Sequence, residues 1–143
     1  MSKNESELYQ VIWLIRRLFR ALSQKSSENL VEFGISVADR AVMEFLYPDK
    51  ALSVPDIAEL YKVSRQHVQA TVNSLLECGL VETKVNPHHK RSPFIMLNPK
   101  GRQLFCLVMK KDEDLIEQLF SHISESDVQI TKQTLRAILN KLI

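Results

Sequence analysis

Between residues 6 and 24, Leu8, Val11, Ile12, Ile15, Leu18, Phe19 and Leu22 recur at three- and four-residue steps. That period predicts an amphipathic helix. Trp13 and Leu14 widen its apolar stripe beyond what a helix covered on one side needs. The stretch "SENLVEFGI" reads as a turn or short segment closing at Gly34. At "SVAD" a second helix begins, with Ser36 as N-cap and Asp39 three residues on, a capping box built with Asp. It continues through Val42, Met43, Phe45 and Leu46 and stops before Pro48. "SVPD", residues 53–56, repeats the device and predicts a short third helix ending near Tyr61. Ser64 caps a fourth that runs to Glu77, with Gly79 as terminator.

The period then changes. Two β-prone segments, 80–85 and 94–97, flank a tip of Asn, Pro, His, His, Lys, Arg, Ser and Pro, which predicts a hairpin with a long basic tip. Asn98 followed by Pro99 opens a long helix through Leu104, Leu107, Val108, Leu115, Leu119 and Ile123, about 35 Å at 1.5 Å per residue. "SESD" at 124–127 opens the last helix, with Val128, Leu135, Ile138, Leu139 and Leu142 expected inward. The fold class is mainly α with a small β-hairpin wing. A helix, a tight turn and a second helix make a helix-turn-helix, whose second helix enters the major groove of DNA, and a hairpin directly behind it is a wing. The 143 residues suit one domain, with the winged helix-turn-helix at about 36–97 and helical segments at about 6–24, 98–122 and 125–143.

The fourth helix carries an unusual outer face. Val63, Val68, Val72, Leu75 and Leu76 want a core, whereas Arg65, Gln66, Gln69 and Asn73 fall on the other side. Solvated helix faces are usually filled with paired Glu and Lys. Gln and Asn can instead bond adenine N6 and N7 together, and Arg can fork onto guanine O6 and N7. Ser64, Arg65, Gln66, His67, Gln69 and Asn73 are therefore the expected DNA-reading set. His88, His89, Lys90 and Arg91 are the expected wing contacts.

Charge supports this placement only modestly. The chain carries +2, but residues 53–102 hold seven Lys/Arg against four acids, a net of +3 beside the amide-rich helix. Composition is that of an ordinary soluble globular chain, 45% hydrophobic and 25% charged. The polar start "MSKNESELYQ" is unlike a secretory signal, and the apolar run "VIWLI" is broken by Arg16 and Arg17. A cytoplasmic protein with no membrane partner is expected. Cys78 and Cys106 give no disulfide framework, and both are expected as buried small hydrophobes.

No Gly-rich phosphate loop, nucleophile elbow, HExxH or CxxC arrangement is visible, so neither an enzyme nor a cofactor is expected. His88 and His89 lack nearby Cys or carboxylate ligands, and no metal is expected.

The segment "LSVPDIAELYKVSRQHVQATVNSLLECGLVETKVNPHHKRSPFIMLNPKG", residues 52–101, resembles the MarR family of winged helix-turn-helix repressors. The likeness lies in "VSRQHVQATVNSLLECGLVETK", the wing at 86–92 and "LNPKG", and the flanking helices extend it over nearly the whole chain. Two departures stand out: Asn86 replaces the family's usual acid at the wing's start, and Asn98 replaces Thr. The resemblance implies an obligate homodimer whose first and last two helices interlock, with each lobe reading half of a pseudo-palindromic double-stranded DNA operator. It also implies release by a small aromatic or anionic effector, for which Trp13, Arg17 and Arg40 are the candidate residues. The competing readings are a regulator responding to thiol oxidation, and a dimeric winged-helix adaptor that binds protein instead of DNA.

Overall fold

The computed structural model describes residues 3–143, with side chains from residue 6 onward. The chain divides into two compact units, the first reaching Lys110 and the second running from Lys111 to Ile143.

In the first unit, helix α1 spans Lys3–Leu30, longer at both ends than the predicted 6–24. The polar stretch 23–29 has no apolar rhythm to announce a helix, but it also holds no Gly or Pro to stop one. Buried Leu30 anchors its end. A single 3-10 turn, Val31–Phe33, then closes on Gly34, whose φ of 68° is the left-handed conformation that glycine takes without penalty.

Helix α2 (Val37–Leu46) has the expected capping box. The Asp39 N–H donates to Ser36 Oγ and the Ser36 N–H donates to Asp39 Oδ2, both at 3.0 Å. Helix α3 (Val54–Tyr61) repeats it with Ser53 and Asp56 at 3.3 Å. Lys62 ends α3 in the left-handed region, and Ser64 starts helix α4 (Arg65–Glu77) by accepting the His67 N–H at 3.0 Å. Residues 62–64 make the tight turn of the helix-turn-helix.

The hairpin is β2 (Val81–Lys84) and β3 (Phe94–Leu97), antiparallel, with Val81 opposite Leu97 and Lys84 opposite Phe94. A third strand, β1 (Leu52–Ser53), pairs with the other edge of β3. Two residues carry no readable alternation, so the sequence gives no sign of it. Val42, Met43, Leu46, Ile57, Val68, Val72 and Leu75 from the three helices meet Leu80, just before β2, and Ile95 and Leu97 of β3 in one core. Phe105 and Val108 of helix α5 (Pro99–Phe120) complete it.

In the second unit α5 ends at Phe120, earlier than the predicted 122–123. The turn at 121–123 is fixed by the Ile123 N–H donating to Phe120 O at 3.0 Å. Helix α6 (Glu125–Leu142) is capped by Ser124. Of the residues expected inward on α6, Val128 and Ile138 are half-buried, while Leu135, Leu139 and Leu142 are exposed. The stripe on α1 is equally bare, with Phe19 70% exposed. Both faces are amphipathic as read, and their apolar positions are largely exposed among the described residues.

Candidate nucleic-acid interface

The N-terminal turns of α4 point their polar residues away from the core, because Val68, Val72 and Leu75 take the inner face. Arg65, Gln66 and Gln69 line a groove of about 500 Å³. Its floor is apolar, made by Val54, Pro55, Val72, Leu76, Pro93 and Ile95, and its far wall is the hairpin, with Thr83 and Arg91. Two arginines and two glutamines thus border one concave surface. Gln69 Nε2 also donates to Asn73 Oδ1 at 3.0 Å, one turn along the exposed face.

The other predicted α4 residues sit differently. Ser64 spends its hydroxyl oxygen on the His67 N–H, so its first duty is to cap the helix. The His67 ring tilts against Tyr61 at 6.3 Å between centroids, and Tyr61 in turn meets Phe45 edge-on at 5.8 Å. On the wing, only Arg91 among the four predicted residues lines the groove, while His88, His89 and Lys90 are exposed beside it.

The wing's base is held by Asn86, which is 8% exposed. Its Nδ2 donates to Ser92 O and its Oδ1 accepts the His88 N–H, both at 3.1 Å. Both bonds run to backbone. They clamp both ends of the tip with a neutral side chain.

A second clamp joins α4's exit to the start of α5. The Asn98 N–H donates to Leu80 O at 3.1 Å, Asn98 Nδ2 donates to Gly79 O at 2.8 Å, and Asn98 Oδ1 accepts the Gly101 N–H at 2.8 Å. Gly101 is required by that approach, since a Cβ there would lie 2.0 Å from Leu80 O. The sequence showed Asn98 only as a helix cap. Its grip on residues 79 and 80 joins groups about twenty residues apart.

Both cysteines are exposed, not buried as expected. Cys78 follows the last residue of α4, where the helix is already leaving the core. Cys106 lies on α5 beside buried Phe105 but on its outer side, where Tyr47 Oη reaches its Sγ at 3.9 Å. That contact, with partial burial behind it, holds the Tyr47 phenol above its ordinary pKa. Of the candidate effector residues, Trp13 and Arg17 meet on α1, the guanidinium carbon 4.7 Å from the indole centre. Arg40 sits half-buried on α2, one residue beyond the capping box. Among the described residues no cluster of three or more His, Cys, Asp or Glu could hold a metal ion, and no helix is long and apolar enough to cross a membrane.

Known proteins resemble this chain in sequence and in fold. An uncharacterized protein of Mycobacterium tuberculosis is 33% identical over 91 residues, and the matched stretch spans 64% of this chain and 64% of that relative's length. The HTH-type transcriptional regulator MhqR of Bacillus subtilis is 20% identical over 125 residues, 87% of this chain and 86% of that one. The fold is that of a crystal structure of a MarR family transcription regulator, with a TM-score of 0.91 at 20% identity over 97% of this chain and 92% of that chain. The S. aureus MepR–DNA complex gives 0.78 at 22% identity over 92% and 96%. A sequence model of the MarR family matches residues 33–92, from the end of the 3-10 turn to the wing.

Proposed function

We propose that this chain is a sequence-specific double-stranded DNA-binding regulator of transcription that acts as a homodimer on a two-fold operator. The observation that carries the reading is the groove in which Arg65, Gln66 and Gln69 of α4 face Arg91 of the wing. Amides and guanidiniums suit base edges and phosphates, and the pair of elements is the one that docks in winged helix-turn-helix proteins. A relative of the same fold was crystallised with DNA. The bare apolar faces of α1 and α6 support the dimer, because patches of this extent are normally covered.

Gln66 and Gln69 read bases in this account, while Lys90 and Arg91 engage phosphate or the minor groove. Gln69→Ala then relaxes preference at particular operator positions by about 1–3 kcal/mol. Arg91→Ala weakens all sequences alike and lowers the salt slope by about one unit. Titration of both variants on operator and scrambled duplexes at several salt concentrations tests this; identical behaviour would refute the division.

Control is proposed as repression relieved by a small aromatic or anionic effector. The Trp13–Arg17 stack supports this, since it offers an aromatic face and a cation at one place. A second reading has its own support. Both thiols are exposed, so oxidation can reach them. Loss of operator binding in peroxide by the wild type, but not by a Cys78→Ser, Cys106→Ser double variant, would select the thiol switch over the effector.

A further inference from the structure

The α4 face contains one side-chain bond whose direction matters chemically. Gln69 and Asn73 are both exposed, four residues apart, and Gln69 Nε2 donates to Asn73 Oδ1 at 3.0 Å. Residues four apart lie on one side of a helix, so both amides face the same region. An amide nitrogen has two protons. Reading adenine uses the oxygen, which accepts from N6, and one of those protons, which goes to N7. The second proton is spare, and a bond to Asn73 leaves the reading edge complete.

Left alone, a glutamine amide turns over easily and then offers a donor where adenine needs an acceptor. In the structure Asn73 presents its oxygen to the Gln69 nitrogen, and a side chain already ordered loses less on binding. We propose that Asn73 is a positioning residue: it reads no base, but holds Gln69 in the orientation that selects an A·T pair. The inference rests on the DNA-binding reading above and names how one part of that site discriminates.

The test uses the full-length dimer and fluorescence anisotropy on the preferred operator and its single base-pair substitutions. Comparison of wild type with Gln69→Ala locates the position that Gln69 reads, where wild type prefers A·T by about 5- to 150-fold. Asn73→Ala should flatten preference at that same position, with no further flattening in the Gln69→Ala, Asn73→Ala double variant. Asn73→Asp can only accept, so it must keep Gln69 donating. It should retain the A·T preference while its added negative charge lowers affinity for every duplex. The proposal is overturned if Asn73→Ala keeps the ranking, flattens a different position, or behaves like Asn73→Asp. A wild type that binds all duplexes equally would instead remove the parent reading, and that result appears before any Asn73 variant is made.

Discussion

Gly101→Ala separates the tertiary account from local propensity, because the two predict opposite signs. In an ordinary helix interior, replacing Gly with Ala stabilises by about 0.5–1 kcal/mol. Here the new methyl would lie 2.0 Å from Leu80 O, 3.0 Å from Leu80 C and 3.2 Å from Leu97 Cδ2. Carbon and carbonyl oxygen normally stay about 3.3 Å apart or more, so a gap of roughly 1 Å must open. The carbonyl cannot swing away freely, since it accepts the Asn98 N–H at 3.1 Å, and Gly79 O accepts Asn98 Nδ2 beside it. Overpacking costs about 1–3 kcal/mol, and two weakened hydrogen bonds cost about 0.5–1.5 kcal/mol each. Less the helix gain, the net loss is about 1–5.5 kcal/mol. Urea denaturation followed by circular dichroism, at matched chain concentration, reads it directly. A variant as stable as wild type, or more so, would refute the claim that α5 is seated on the exit of α4 through this contact.

Other perturbations probe separate parts of the fold. Asn86→Ala removes both side-chain bonds at the wing's base, so amide exchange at His88 should accelerate and affinity for all duplexes should fall without a change in ranking. Ser36→Ala should cost about 1 kcal/mol by loss of its capping box, and the buried Ser53→Ala at least as much, both read from urea midpoints. Phe19→Glu on the bare stripe of α1 should shift light scattering from a dimer toward the 16.5 kDa chain; an unchanged mass would show that this face is not the interface. Cys106→Ala removes the first cause of Tyr47's raised pKa, so the ultraviolet titration of that phenol should move down toward its ordinary midpoint of 10.0.

What was legible in the sequence was whatever is encoded locally. Ser36 with Asp39, and Ser53 with Asp56, announced two helix starts because a cap is complete within four residues. Helix α4 was legible because its inner Val68, Val72 and Leu75 separate cleanly from outer Arg65, Gln66 and Gln69. Pairings between distant groups were not. Strand β1 is too short for periodicity, and Asn98's bond to Gly79 O joins residues with no shared local pattern. The end of α1 was missed because a polar helix and a polar loop look alike until Leu30 is seen buried. Exposure of Cys106 escaped because it sits between Phe105 and Leu107, and composition cannot say which way one turn of α5 faces. In the same way, Thr83 joined the groove only once β2 was set against α4.

The central claim is that two copies of this chain read a specific DNA sequence with α4 and the wing. Selection from a random double-stranded library by the purified protein, followed by sequencing, tests it most directly. The expected result is enrichment of an inverted repeat whose half-sites lie about 34 Å, one helical turn, apart, with the preference lost in a Gln66→Ala, Gln69→Ala variant. Recovery of an unenriched pool, or of sequences with no two-fold relation, would contradict it.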